Sequence, residues 1–447
     1  MMQEIFGLID ADAFYVSCER AFQPALEGRP VVVLSNNDGN IISHSRESKA
    51  LGITMGMPFF KARPIIEQHG VTWFSSNYTL YGDVSRRMFD TVDRFVPALE
   101  HYSIDEGFVH FDSGHPVDDA HEIKQTVRKW TGIPLSIGIG PTKVLAKVAS
   151  HIAKKHPEYG GVVDLSRADR DRYLKDFDVA DVWGIGPRYS KFLKSDGEDD
   201  PEQPDLWEYC GLAPVLRKQK IETAFDLKQC SDSWVRKHLT IKGLRLVWEL
   251  RGISCLPLEV FEKPRKGLCC SRSFGRAVYT LEELCGSIAM HASRGGEKLR
   301  RQHLAASHLT AFISTSQFRQ NPEEIYSASA SWQLPYPTSY TPALVATAQA
   351  LLGRIYKRGF SDHKAGVYLS DIVADKERQG SLLLEMDDER RNRLMEAIDK
   401  LNRKYGRNTV RSLALGASSQ NGWEMRRERI SGRYTTHLDE VLRVRAI

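Results

Sequence analysis

The chain of 447 residues has no C-x-x-C pair, and its seven cysteines are odd in number and scattered, with Cys269 and Cys270 adjacent. This usage speaks against a disulfide framework and against a structural zinc site, and a reducing cytoplasm is the compartment expected. No apolar run approaches the ~20 residues a membrane span needs. The N-terminus also lacks a basic stretch followed by a cleavable apolar one. A soluble, unexported protein with no membrane partner is therefore expected. There is no internal repeat and no strong charge of one sign: the formal net charge is only +5. That is mild for a nucleic-acid binder, so the distribution of charge carries more information than its total.

Hydrophobic residues make up 41% of the chain, enough for several cores, and ~150 residues per domain suggests about three or four domains. Between Phe261 and Leu304, Lys263, Arg265, Lys266, Arg272, Arg276, Arg294, Lys298, Arg300 and Arg301 outnumber Glu262, Glu282, Glu283 and Glu297. In the opposite sense, Asp196, Glu198, Asp199, Asp200, Glu202 and Asp205 form an acidic island that should repel a phosphate backbone.

The periodicity predicts a buried strand over Glu4 to Ile9 and a helix from Ala13 to about Ala21, with Asp12 read as its cap. Pro30 to Leu34 reads as a strand, Ser35 to Gly39 as a turn, Ile41 to Ser43 as extended chain, and Arg46 to Leu51 as a helix ended by Gly52. Asn77 to Phe95 has helical spacing and leads to a strand pair around His101 to Phe111. Leu135 to Gly140 is another strand, followed by a basic helix from Thr142 to Lys155. Such alternation indicates an α+β domain built on a sheet. Trp183-Gly184-Ile185-Gly186-Pro187-Arg188 opens a helical region reaching about Gly252, interrupted by an exposed acidic stretch. Mixed strands and helices return from Arg265 to Asp371, including strands at Ser307 to Thr315 and Lys364 to Ser370. The last ~75 residues are charged and partly helical, with a flexible link expected near Asp375 to Gly380.

Asp10 follows an apolar strand, and Asp105-Glu106 sits within Tyr102-Ser103-Ile104-Asp105-Glu106-Gly107-Phe108. Carboxylates at a strand end beside others on a neighbouring hairpin form a hard, all-oxygen site suited to Mg²⁺. The other reading of the pair is an acidic hairpin tip. Successive strand side chains point to opposite faces, so Asp105 and Glu106 share one site only if a turn or bulge re-aims one of them. Gly107 is the expected cause.

Three ordered segments now bear on function: Asp10-Ala11-Asp12-Ala13-Phe14-Tyr15, Tyr102-Ser103-Ile104-Asp105-Glu106, and Gly138-Ile139-Gly140-Pro141-Thr142-Lys143-Val144-Leu145-Ala146-Lys147. Together they resemble the palm motifs of Y-family translesion polymerases. Finer features resemble the UmuC type, the catalytic subunit of bacterial DNA polymerase V. These are Leu34-Ser35-Asn36-Asn37-Asp38-Gly39, Phe74-Ser75-Ser76-Asn77-Tyr78, Ser271-Arg272-Ser273-Phe274-Gly275, Lys364-Ala365-Gly366-Val367 and Arg433-Tyr434-Thr435-Thr436. The resemblance spans nearly the whole chain.

It implies an α+β multidomain protein, a right-hand polymerase with palm (1–25 and 75–168), fingers (26–74), helical thumb (169–255), α/β little finger (262–372) and a partner-binding tail (373–447). Asp10, Asp105 and Glu106, with the backbone carbonyl of Ala11, would hold two Mg²⁺ ions for nucleotidyl transfer. Tyr15 would be the steric gate, its ring leaving no room for a 2′-hydroxyl; the other reading is a core aromatic. The implied nucleotide-binding set is Ala11, Phe14, Tyr15, Ser43, Arg46, Lys49 and Lys154, since a triphosphate needs several cationic or N–H donors. Without the resemblance, Arg46 and Lys49 are a solvated helix face. Gly184 and Gly186 resemble a thumb helix-hairpin-helix that grips a DNA phosphate through backbone N–H groups. Arg272 and Arg276 would add phosphate contacts from the little finger. In the tail, Gln379, Leu382 and Leu384 resemble a sliding-clamp peptide lacking its aromatic end; a plain amphipathic segment is the other reading.

Three features depart from the type: Gly107 for an expected alanine, Asn40 where cysteine is frequent, and an acidic insertion at 195–216 within the thumb. The expected partners are primer-template DNA, deoxynucleotides, a UmuD-type accessory protein and a RecA filament, in a cytoplasmic, nucleoid-associated response to DNA damage (SOS). A regulatory DNA-binding relative without catalysis would not need the intact carboxylates, and a two-metal nuclease gives no reason for Tyr15 or Lys49.

Overall fold

The computed structural model describes residues 4–185, 216–217, 219–261, 265–316, 319, 321–377, 388–406, 408–415, 423 and 425–442. Gly186, Gln379, Leu382, Leu384 and all but the last residue of the 195–216 insertion lie outside these. No helix among the described residues is long and apolar enough to cross a membrane. The chain divides into two compact units. The first comprises Met1–Val33, Ile41–Glu262 and Ile430–Ile447; the second comprises Leu34–Asn40 and Lys263–Arg429.

The first unit is built on strands whose residues alternate between two buried faces. Strands β1 (Ile5–Ala11), β5 (Ala98–His101), β6 (Glu106–Phe111), β7 (Leu135–Gly140) and β8 (Val162–Asp164) form a sheet in the order β5-β6-β1-β7-β8. All pairings are antiparallel except β7 with β8. Along β1, Ile9 and Ala11 face a core shared with Val109, Phe111, Ile137 and Ile139. That core is closed by helices α1 (Phe14–Phe22), α4 (Tyr78–Val92) and α5 (Pro116–Thr131). Phe6 and Leu8 face the other way, with Phe108, against Ala146 of helix α6 (Lys143–Lys155). Asp10 and Glu106 have the same parity as Leu8 and Phe108 and so lie on the α6 side.

Two glycines let α6 come this close. A Cβ on Gly138 would sit 2.1 Å from the Ser150 nitrogen and 2.2 Å from the Ala146 oxygen. A Cβ on Gly140 would lie 2.9 Å from the Ala146 nitrogen. Thr142 caps α6, its side chain accepting from the Leu145 N–H. The outer side of α6, through Val144, Leu145, Val148 and Ile152, joins a second core with Leu174, Leu227, Val235, Leu244 and Leu250. The last four come from helices Ala224–Gln229 and Asp232–Arg251, the latter interrupted at Thr240, where φ is 62°. A smaller sheet, β3-β2-β4, joins β2 (Val31–Leu34), β3 (Ile41–His44) and β4 (Thr72–Ser75), flanked by helices α2 (Arg46–Ala50) and α3 (Phe59–His69).

The second unit has a strand-helix-strand, strand-helix-strand order. Strands β9 (Gly267–Val278), β10 (Leu304–Ser314), β11 (Ser327–Thr338) and β12 (Asp362–Ala374) alternate with helices Leu281–Arg301 and Thr341–Ile355. The sheet runs β11-β10-β12-β9, antiparallel throughout. Gly366 of the Lys-Ala-Gly-Val motif lies where strands crowd, since a Cβ there would meet Ser271 at 2.3 Å and Phe312 at 2.6 Å. Two motifs quoted separately from the sequence meet in this unit. The Asn37 amide donates to the carbonyls of Ser273 and Phe274, each at 3.1 Å. Its oxygen accepts from the Arg426 N–H at 3.0 Å.

His291, on the helix Leu281–Arg301, is buried and pushed down to about 3, first by that burial and then by Arg294, Arg272 and Lys298. A histidine whose folded value is depressed is charged only after unfolding, so its contribution to stability is complete above its unfolded value near 6.5. That contribution is lost as pH falls from there towards 3. His291→Leu is therefore expected to remove part of the acid sensitivity. Between pH 7 and 4.5 the wild type should lose about 2 kcal/mol more stability than the variant, read by urea unfolding.

Candidate active site

Register places the carboxylates. Asp10 on β1 is the Cα partner of Glu106 on β6, and opposed residues of an antiparallel pair point to the same face with Cβ atoms about 5 Å apart. Asp105 lies in a bend before β6. Ser103 shapes that bend: its Oγ accepts from the N–H groups of Asp105 (3.2 Å) and Glu106 (2.9 Å) and donates to Asp105 Oδ1 (2.6 Å). The Asp105 carbonyl accepts from the Ala11 N–H at 2.9 Å, which ties the bend to the end of β1.

The irregularity that frees Asp105 from strand alternation is therefore upstream, at Ser103 to Asp105, and not at Gly107 as expected. Gly107 is regular strand, and it sits close against its neighbours: a Cβ would stand 2.7 Å from Phe89 and 3.2 Å from the Glu100 carbonyl, so a larger residue would displace the Phe89 ring. The capping role expected of Asp12 is also corrected. Ala13 occupies the N-cap of α1 in the left-handed region, φ 44°, without a side-chain cap. The Asp12 carboxylate instead accepts from Ser136 Oγ at 2.8 Å.

Two lysines of α6, seven residues apart and so on one helix face, neutralise the carboxylates. Lys154 meets Asp10 at 2.5 Å and Lys147 meets Glu106 at 3.0 Å. Lys147 also lies over the rings of Tyr102 (4.6 Å) and Trp183 (5.5 Å), and the Trp183 indole donates to the Tyr102 hydroxyl at 3.0 Å. The sequence reading gave Lys147 no role, although its seven-residue spacing from Lys154 on this basic helix was a usable signal. Burial pushes the Asp10 carboxyl up to about 7; Lys154 opposes this, while Glu106 and Asp105 add to it.

Among the described residues, no three acidic, histidine or cysteine side chains already converge as a metal cage. The donor set nonetheless fits a hard divalent cation. Asp10 and Glu106 face each other as oxygen donors, and the burial and like charges that raise the Asp10 carboxyl are what an oxygen-ligated cation would offset.

Tyr15 stacks on Tyr81 with centroids 4.8 Å apart and meets Tyr78 edge-on at 5.9 Å. Burial first, then Tyr78 and Asp105, push its hydroxyl up to about 12. Phe14 is buried beside it, and buried Ser43 accepts from the Val16 N–H at 3.5 Å. Lys49 and Lys154 both bear on His151 of α6, which is drawn down chiefly by burial and by Lys155. Arg46, exposed at the start of α2, bears instead on Lys124.

Gly184 has φ 88° in the turn after Val182. In the second unit, Arg272 lines a cavity of about 330 Å³ with His291, Arg294, Trp423 and Arg427. Arg276 is bonded to Glu283.

The fold is similar to that of a Y-family DNA polymerase chimera of Dbh and Dpo4. The TM-score is 0.61 and the identity 20%, covering 83% of this chain and 99% of that one. It is also similar to the insertion ternary complex of Dbh DNA polymerase, with TM-score 0.52 and 18% identity over the same shares. The fold is that of the Y-family DNA polymerases. The impB/mucB/samB family model matches residues 9–151 and that family's C-terminal domain matches 265–382; a domain of unknown function, DUF4113, matches 392–444. The chain is 40% identical to protein UmuC of Salmonella typhimurium over 99% of its length and 100% of that protein. It is 36% identical to protein MucB of Escherichia coli over 97% of both chains. The protein belongs to the impB/mucB/samB family.

Proposed function

We propose that this family member is the catalytic subunit of an error-prone, lesion-tolerant DNA synthesis system of the SOS response to DNA damage. The observation that carries the reading is the facing of Asp10 and Glu106 across β1 and β6, with Asp105 freed by the preceding bend. In this reading residues 1–25 and 75–168 are the palm, 26–74 the fingers, 169–255 the thumb, 262–372 the little finger and 373–447 a tail for partners.

Asp10, Asp105, Glu106 and the Ala11 carbonyl hold two Mg²⁺ ions. When bound, such ions would supply Lewis acidity, favouring ionisation of the primer 3′-hydroxyl and stabilising charge on the pyrophosphate that leaves as the phosphodiester forms. Lys49 and Lys154, with Ser43 and Arg46, bind the triphosphate. Lys154 pairs with Asp10 and, one-third exposed, has room to reach a phosphate oxygen. Tyr15 and Phe14 bound the sugar. Gly184, Gly186, Arg272 and Arg276 meet DNA phosphates, so affinity should fall steeply with salt. A UmuD-type protein, a RecA filament and, through Gln379, Leu382 and Leu384, a sliding clamp are the proposed partners in the cytoplasm, at the nucleoid during damage.

The test is primer extension on a template with one abasic site, using the full chain, Mg²⁺ and deoxynucleotides, with and without the UmuD-type protein and RecA filament. Extension of an undamaged template and synthesis past the abasic site are expected. Failure to extend even the undamaged template under every condition overturns the reading.

A further inference from the structure

The segment Ile430–Tyr434 is separated from Tyr15 by more than 400 residues of sequence, yet in the first unit it closes a network that ends on the Tyr15 ring. Tyr15 and Glu19 are four residues apart on α1 and so share a face. Glu19 is fully buried, and its carboxyl is raised by that burial. Its Oε1 accepts from the Tyr81 hydroxyl at 2.6 Å and from Ser431 Oγ at 2.8 Å. Tyr81 is likewise fully buried, and its ring lies nearly parallel to that of Tyr15, 27° between planes. The carboxylate thus fixes the hydroxyl end of the ring on which Tyr15 stacks.

The same segment fastens the helix that carries Tyr78 and Tyr81. The Asn77 amide donates to the Ser431 carbonyl (2.9 Å), to Ser431 Oγ (3.1 Å) and to the Gly432 carbonyl (3.2 Å). Asn77 Oδ1 meanwhile accepts from the Leu80 N–H and so caps α4. Ile430 bridges to Ser75 in parallel, and Tyr434 packs on Phe22 at the far end of α1 with centroids 5.0 Å apart. Ile430–Tyr434 therefore binds α1 to α4, the two helices whose aromatic rings form the wall at Tyr15. Burial of a carboxylate costs stability unless it is hydrogen-bonded. Among the described residues Glu19 Oε2 has no hydrogen-bond partner, so the two hydroxyl donors on Oε1 matter all the more.

We propose that Ile430–Tyr434 is a positioning element for sugar selection. Through Ser431, Glu19 and Tyr81 it sets the Tyr15 ring against C2′ of the incoming nucleotide and so excludes ribonucleotides. The proposal rests on the reading of Tyr15 as the steric gate. Ser431, Glu19 and Tyr81 touch no substrate and act through Tyr15.

The experiment measures kcat/KM for single incorporation of a deoxynucleotide and of the matching ribonucleotide by the full chain on primer-template with Mg²⁺. Ser431→Ala should lower the deoxy-to-ribo ratio about tenfold, the effect of losing one hydrogen bond to a charged group. It should leave deoxynucleotide incorporation within about twofold. Ser431→Thr, which keeps a hydroxyl, should restore the ratio, and Tyr81→Phe, which keeps the ring, should lower it as Ser431→Ala does. In a Tyr15→Ala background, Ser431→Ala should have no further effect on the ratio. Equal losses for both sugars in Ser431→Ala and Tyr81→Phe overturn the proposal, because a merely structural role moves both alike. If Tyr15→Ala collapses the ratio while Ser431→Ala and Tyr81→Phe do not, the positioning proposal alone fails. If Tyr15→Ala leaves the ratio unchanged, the gate reading fails first.

Discussion

Asp105→Ala is expected to lower primer extension by about 10³-fold or more, a loss of roughly 4 kcal/mol of transition-state stabilisation, while leaving primer-template affinity within about twofold. The carboxylate lies on a bend whose backbone is held by Ser103 Oγ and by the Ala11 N–H; the alanine variant loses the Ser103 hydroxyl's bond to Oδ1 and keeps these backbone contacts. Truncation to the Cβ therefore removes negative charge from the site without removing the bend or a buried packing group. A loss of this kind, seen in rate and not in affinity, marks an interaction made at the reacting centre. The measurement is single-turnover extension at saturating DNA beside a binding titration on the same duplex. Extension equal to that of the wild type removes Asp105 from the metal ligands.

The second large effect is on the choice of sugar. Tyr15→Ala is expected to lower the deoxy-to-ribo ratio of kcat/KM by about 10² or more, close to 3 kcal/mol. Exclusion of one oxygen atom by a ring is effective only if the ring cannot yield, and Tyr15 is held by stacking on buried Tyr81 and by edge contact with Tyr78. Removing the ring opens the space beside C2′ but leaves the carboxylates and lysines untouched, so deoxynucleotide transfer should persist. Incorporation of both sugars into one primer, scored by alkaline cleavage, reads the ratio directly. An unchanged ratio takes Tyr15 out of the gate role.

Much of the first unit's local structure was legible because its signals are local. The strand over Leu135 to Gly140 and the helix after Thr142 follow from an apolar run, a cap and a helical period, and the structure has strand and helix there. Other features depend on what lies across space. Asp12 looks like a cap, but Ala13 takes the left-handed turn and Ser136 claims the carboxylate. Gly107 looks like the cause of a bulge, but its reason is the Phe89 ring one layer away. Thr240 interrupts its helix with nothing in the neighbouring sequence to announce it. Lys147 was half legible: its seven-residue spacing from Lys154 is visible in sequence, whereas the pairing with Glu106 needs the packing of α6 on β7 that Gly138 permits. The contacts of Ser431 with Glu19 were not legible at all, since no local period links positions so distant.

That distance also has a meaning in time. Glu19 and Ser431 are 412 residues apart. At roughly 5–20 residues per second, a ribosome delivers the second some 20–80 s after the first. The five-stranded sheet, its carboxylates and Tyr15 all emerge before the hydroxyl that completes the Glu19 network. A nascent or clipped chain ending before Ile430 would thus carry the residues proposed for chemistry while still lacking the strap proposed to hold its selectivity, and competence to extend DNA would precede competence to choose the sugar.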